Sequence, residues 1–427
     1  MSDAEAPVLS TRKNARGDVR VWCPRARDLA SSAASSASQP AGHASESNHG
    51  DVADDTYADR LRHFQWHWSR GHPVVVRDVP AGISWAPAVV ERAMSPLDVG
   101  RRQNGGSRSD RMVPVVNCAA DVGPGGDAKA EVMTPRDFFK GFTDASVFSA
   151  AATNESTLYA LKDWPSEAEF RDWMPAHYSH FIAGLPFPEY TNPRDGPLNL
   201  ATHAPKAPRG AGAGLELGPR SNIAYGRREE RGPGDSVVRL HVRARDEVDA
   251  LMYAHDAAGG GPDADDASRA GEYGGASWQI FRREDAPAVC AFLLARRRQL
   301  AHAPPEAAVV RHPIHDGLFF LTGAELDALA EETNGEVAPW SFEQNEHDAV
   351  LVPAACPRQV RHLKSCVRVA MHFASPETLP AAMAASDEIR ALPRGTRGRA
   401  EEGHTHVALL HAVHAAVHKL RSLRPTL

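Results

Sequence analysis

Apolar positions along this chain recur with two different periods, and the change from one to the other divides it into elements. Leu61, Phe64 and Trp68 fall at helical spacing, Gly71 marks the helix end, and PVVVR at 73–77 predicts a short buried strand. MTPRDFFKGF at 133–142 opens a second helix, with Thr134 as its cap and Pro135 in its first turn. The segment Asp235–Tyr253, DSVVRLHVRARDEVDALMY, contains the central strand. Trp278–Phe292 predicts a strand followed by a helix, Ala324–Thr333 a further helix, and Pro339–Phe342 opens another strand. Within Ala349–Phe373, two runs of alternating apolar residues flank a Pro-Ala-Ala-Cys-Pro turn, which predicts a hairpin. His406–Leu423 reads as an amphipathic helix whose apolar stripe is Val407, Leu410, Val413, Val417 and Leu420. His411, His414 and His418 lie on another face of it and read as solvated surface.

The segments between these elements are polar or glycine-rich. Residues 1–56 read as a disordered Ser-, Ala- and Asp-rich tail, with a short apolar fragment at Val19–Trp22. Ser95–Gly126 reads as a loop, and the acidic, glycine-rich stretch 254–275 as a solvated insertion. The chain has 427 residues, 42% hydrophobic and 24% charged, and a net charge of −6, which gives no whole-chain electrostatic reason to bind nucleic acid. No apolar run reaches the ~18 residues that a membrane span needs, and the opening MSDAEAPVLS lacks the apolar centre of a secretory leader. The five cysteines are widely spaced, with no Cys-x-x-Cys, which suits a reducing compartment.

Candidate chemistry starts at His241-Val242-Arg243. Residues i and i+2 of a strand share a face, so a His-x-Asp pair delivers two ligands to one metal. Here arginine stands in the carboxylate's place. This strand resembles the metal-binding strand of a JmjC-type double-stranded β-helix. LKDWP, LPFPEYT, LNLAT, GPRSNIAYG and HPIHD follow in the order seen in that family, and FQWHWSRGHPVVVRDV resembles the entry segment of its subfamily acting on histone H3 lysine 9 (plant-type).

The resemblance implies a mainly β fold with helical flanks (α+β), a JmjC/cupin-like barrel. It divides the chain into an N-terminal flanking helix and strand region at 57–132, a JmjC domain at 133–376 and a C-terminal helical extension at 377–427. It also implies Fe(II) and 2-oxoglutarate as cofactors, a histone H3 tail or chromatin as partner alongside possible transcriptional co-regulators, and a nuclear location.

By the same resemblance, His241 is a retained iron-ligand position. Arg243 and Arg358 replace the other two ligands, and Val238 stands where relatives often carry a threonine that helps hold 2-oxoglutarate. A guanidinium stays protonated and cannot ligate a metal. At ~4 Å and an effective dielectric of ~20, each unit pair of like charges costs roughly 4 kcal/mol, doubled for a divalent ion. His362 shares a strand face with Arg358, but four residues along a strand span ~13 Å, against metal–nitrogen bonds of ~2 Å. Asp249, eight residues beyond His241, is likewise too distant for the lost position.

His63, His67 and His72 read as a solvated helix face plus a loop, and the His312, His315 and Asp316 group as lying outside the iron centre. Three readings follow. The chain is a catalytically impaired JmjC chromatin regulator, an active demethylase with an unconventional ligand set, or a metal-free barrel in which His241, Arg243, Arg245 and Arg358 hold a small anion.

Overall fold

The computed structural model describes residues 20–29, 50–94, 112–119, 130–148, 157–162, 164–165, 167–204, 217–257, 273–303, 310–393, 396 and 405–423. Twelve strands run in chain order among them. The first four are β1 (Val74–Val76), β2 (Val113–Asn117), β3 (Ala130–Met133) and β4 (Tyr159–Lys162). The remaining eight are β5 (Arg220–Ala224), β6 (Val237–His241), β7 (Asp246–His255), β8 (Ala276–Ile280), β9 (Trp340–Gln344), β10 (Ala349–Val352), β11 (Arg358–His362) and β12 (Ser365–Phe373).

They form two sheets, ordered β1-β10-β7-β12-β5-β4-β2-β3 and β6-β11-β8-β9. From β5 to β12 the chain passes between the sheets repeatedly: β5, β7, β10 and β12 lie in the larger, β6, β8, β9 and β11 in the smaller, and every neighbouring pair is antiparallel. This is the double-stranded β-helix of the expected α+β, cupin-like fold.

Side-chain alternation sorts the larger sheet into two faces. Val248, Ala250 and Met252 of β7, with Val367, Val369, Met371 and Phe373 of β12, join the flanking core of Phe64, Trp68, Phe138, Phe142 and Phe187. The opposite face meets the smaller sheet, and Val350, Val352, Trp278, Ile280, Trp340, Phe342 and Val360 pack there. Helix α1 (Gly50–Ser69) brings Phe64 and Trp68 to the flank and ends where predicted: Gly71 takes φ +73°, which a side chain resists. A Cβ there would also lie 2.2 Å from Arg283 Nη2. Helix α2 (Pro135–Thr143) is capped by Thr134, whose hydroxyl accepts from Asp137 N at 3.1 Å.

Two segments are more structured than the sequence reading. Trp22 bridges Val74, Val75 N donates to Trp22 O at 3.1 Å, and Val21 and Cys23 are buried against the barrel. Those residues, and the start of α1 at Gly50, fall within the stretch read as a tail. Its parts at 1–19 and 30–49 lie outside the described residues, as do 258–272 of the acidic insertion. Strand β2 falls inside the stretch read as a loop, because Val113 and Val115 alternate toward the core while Pro114 faces outward.

After helix α3 (Leu379–Ala391), the predicted C-terminal helix α4 runs Thr405–Leu423, but it is turned differently from its apolar stripe. Thr405, Ala408 and Ala412 are buried, whereas Leu410 is 70% and Leu420 63% exposed. The small alanines let the first turns lie close to Leu200–His203 and α3, and the large side chains point away. No helix among the described residues is long and apolar enough to cross a membrane.

Candidate functional site in the barrel

The strand register brings the sequence-predicted residues together. His241 at the end of β6 pairs directly with Arg358 at the start of β11. The turn leading to Arg358 is tied to Arg243, because Ala355 N donates to Arg243 O at 2.9 Å, with Ala355 itself at φ +67°. His241 Nδ1 lies 2.8 Å from Arg239 O, so Nδ1 carries the proton and Nε2 keeps its lone pair. That is the tautomer a metal-binding imidazole requires.

The partner positions work against a metal. Arg358 is fully buried, and its Nη2 donates to Glu247 Oε2 at 2.5 Å. Glu247 lies on β7, and its carboxylate is also 3.7 Å from His372 Nδ1 on β12. Burial pushes the Glu247 carboxyl up, but Arg358, His372 and Arg243 together hold it well below the usual carboxylate range. The same crowding acts on the cations. Burial, then Arg358 and Arg243, keeps the His241 imidazole well below its ordinary value. Burial lowers Arg243 to about 9, with Arg358, Arg220 and Arg245 adding to the fall and Glu247 opposing it.

A second buried pair sits two residues along β7. Asp249 accepts from Arg368 Nε at 3.0 Å and Nη2 at 2.5 Å, a bidentate contact between two side chains each 2% exposed. Arg368 lies over Trp278, 4.8 Å from its ring centre, and its Nη1 is 3.3 Å from His362 Nε2. His362 Nδ1 in turn lies 3.1 Å from Ser236 Oγ. His362 and Asp249 thus belong to this second cluster. Val238 pairs with Val360 and packs against the apolar interior. A third carboxylate, Asp246, serves structure: it accepts from Ala354 N, Ser375 N, Ser375 Oγ and Thr378 Oγ1, all at 2.6–2.8 Å.

Glu247, Arg368 and His372 were missed in the sequence. The available signal was that Glu247 and Asp249 sit two apart in a strand and so share a face, which places two carboxylates inside a barrel containing buried arginines.

The other histidine groups resolve differently. His63, His67 and His72 are half-buried rather than solvated. His67 lies 3.2 Å from His63 and 3.3 Å from His72, nitrogen to nitrogen, and stacks on Trp22. The segment at 20–29, read as tail, covers them. His312 Nε2 and His315 Nε2 converge on Glu388 Oε1 of α3, at 3.1 and 3.4 Å, and form the one trio of potential ligands found within 4.8 Å of one another among the described residues. His312 Nδ1, however, accepts from the backbone N–H of Ile314 and His315, so its proton sits on Nε2 and is donated to Glu388. This is a clamp between a loop and α3. On α4, His414 and His418 are exposed, as expected, whereas His411 is half-buried.

Non-haem iron needs two imidazoles and a carboxylate around open positions. In the barrel, one imidazole is ready, a guanidinium occupies each of the other two expected positions, and no barrel trio among the described residues converges as that ligand set must. The residues therefore do not fit the iron centre that the resemblance implies. Nor do they offer a free cation for a co-substrate carboxylate at Arg368, whose charge Asp249 already neutralises.

No family model matches the chain. Among curated proteins it is 32% identical to Lysine-specific demethylase JMJ26 of Arabidopsis thaliana, over 87% of this chain and 44% of the relative. It is 33% identical to Lysine-specific demethylase JMJ29 of the same plant, over 81% and 42%. It is 29% identical to Probable JmjC domain-containing histone demethylation protein 2C of Homo sapiens, over 77% and 13%. The chain spans under half the length of each. Over most of its own length, this protein is similar to part of the lysine-specific demethylases, a likeness that supports the JmjC histone demethylase family.

Proposed function

We propose that this protein is a JmjC-fold chromatin regulator that has exchanged its iron centre for buried ion pairs and no longer oxidises methyl-lysine. Arg358 carries this reading: fully buried at an expected ligand position, it is bound to Glu247, a residue that no ligand set requires. Loss of the metal alone would leave Arg358 as an uncompensated charge. Glu247 on the facing strand supplies the compensation, which fits a barrel retained as a folded body.

The similarity to lysine-specific demethylases supports chromatin as the setting. The resemblance to the H3 lysine 9 subfamily makes the histone H3 tail the natural partner, and the nucleus the location. The divisions at 57, 133 and 377 are proposed to bound the flank, barrel domain and extension.

The reading is tested with methylated H3 tail peptides, Fe(II) and 2-oxoglutarate. Peptide binding without formaldehyde release is the expected result. Catalytic, iron-dependent formaldehyde release would instead establish an active enzyme with an unconventional ligand set.

A further inference from the structure

We infer that the barrel centre is a receptor for a small carboxylate anion, held by Arg358 without any metal; this rests on the metal-free reading proposed above.

A guanidinium carries five N–H donors, and a buried donor without an acceptor is costly. Arg358 is fully buried, and Glu247 accepts only from its Nη2. Its Nε and Nη1 are buried and have no acceptor among the described residues. A bidentate carboxylate spans one edge of a guanidinium, so Glu247 could reach at most one of these two nitrogens while keeping Nη2, and the other would still lack an acceptor. These buried donors call for an oxygen acceptor that the described residues do not provide.

Charge points the same way. The elements around Arg358 contribute His241 from β6, Arg243 from the segment after it, Glu247 from β7 and His372 from β12. The leading charges acting on Arg243 are one carboxylate, Glu247, against three other guanidiniums, Arg358, Arg220 and Arg245. The nearby carboxylates of Asp249 and Asp246 are held by Arg368 and by the Ser375–Thr378 turn. A surplus of positive charge at a buried centre attracts an anion, as the metal position of an iron enzyme would not.

Full burial excludes a protein side chain or a nucleic acid as the ligand, leaving a small solute. The Glu247 carboxylate beside Arg358 disfavours a doubly charged headgroup. A singly charged, planar carboxylate end, which matches guanidinium geometry, is favoured over phosphate.

The test is calorimetry on the full chain with EDTA at constant ionic strength, using acetate, succinate, 2-oxoglutarate, inorganic phosphate and chloride as probes. Saturable one-to-one binding of a carboxylate is expected, at least tenfold weaker in Arg358→Met/Glu247→Gln. That variant removes both charges together and so avoids burying either alone. Arg358→Lys, which keeps the charge, is expected to weaken binding as well, since it loses the planar donors.

Silence from all carboxylates, binding of phosphate alone, or equal binding by the double variant would overturn the inference. An anaerobic Fe(II) titration of the same preparation separates the two layers. Iron uptake by the natural chain sinks the metal-free reading, whereas failure of both iron and carboxylates to bind sinks only this inference.

Discussion

Replacing Glu247 with alanine leaves the Arg358 guanidinium buried without its carboxylate. The contact is 2.5 Å long, between side chains 1% and 10% exposed, so solvent screens it little. Removing one member of a buried ion pair costs about 3–5 kcal/mol, chiefly because the remaining charge has no partner. For a folded body of about 300 residues, that lowers the melting temperature by roughly 5–8 °C.

Urea unfolding of Glu247→Ala, Arg358→Met and the double variant measures the effect as a cycle. Each single change should be costly and the double change much cheaper than their sum, with a coupling of about 2 kcal/mol or more. The pH dependence has a definite sign. The folded carboxyl is held well below its unfolded value of ~4.3, so the pair's contribution is complete above that pH and declines as pH falls below it. The gap between natural protein and Glu247→Ala should therefore be flat from pH 6 to 8 and narrow in acid. A loss under about 1 kcal/mol, or strict additivity in the double variant, would refute the compensating pair.

Two further outcomes follow from the same structure. Asp249→Asn removes the counter-charge of Arg368 while keeping the side chain's shape, and should cost about 3–5 kcal/mol in urea unfolding without altering the Glu247–Arg358 coupling. On α4, Leu410→Ser and Val417→Ser should each shift stability by no more than about 0.5 kcal/mol, whereas Ala412→Leu should cost about 1–3 kcal/mol by overfilling the contact. Comparison of their unfolding midpoints checks both.

Much of the fold was legible because it rests on period and order. The strand PVVVR, the two strands either side of Pro353–Pro357 and the helix ended by Gly71 all carry their signals locally, but the expected hairpin is not formed, because those two strands enter different sheets. The α4 orientation was not legible: the stripe of Leu and Val is a better apolar face than Ala408 and Ala412, but close approach favours small side chains. Strand β2 was hidden by Pro114 in a glycine-rich region. In the barrel, His241, Arg243 and Arg358 could be marked from sequence, and the β6–β11 register does bring them together. What compensates them could not be marked, since Glu247 lies far from Arg358 in sequence and only the crossing of β7 and β11 joins them.

The most direct measurement is anaerobic Fe(II) binding to the purified chain, with and without 2-oxoglutarate, beside a variant carrying Arg243→Asp and Arg358→His. The account predicts that the restored variant binds iron and the natural protein does not. Stoichiometric iron binding by the natural protein, with both arginines in place, would contradict it.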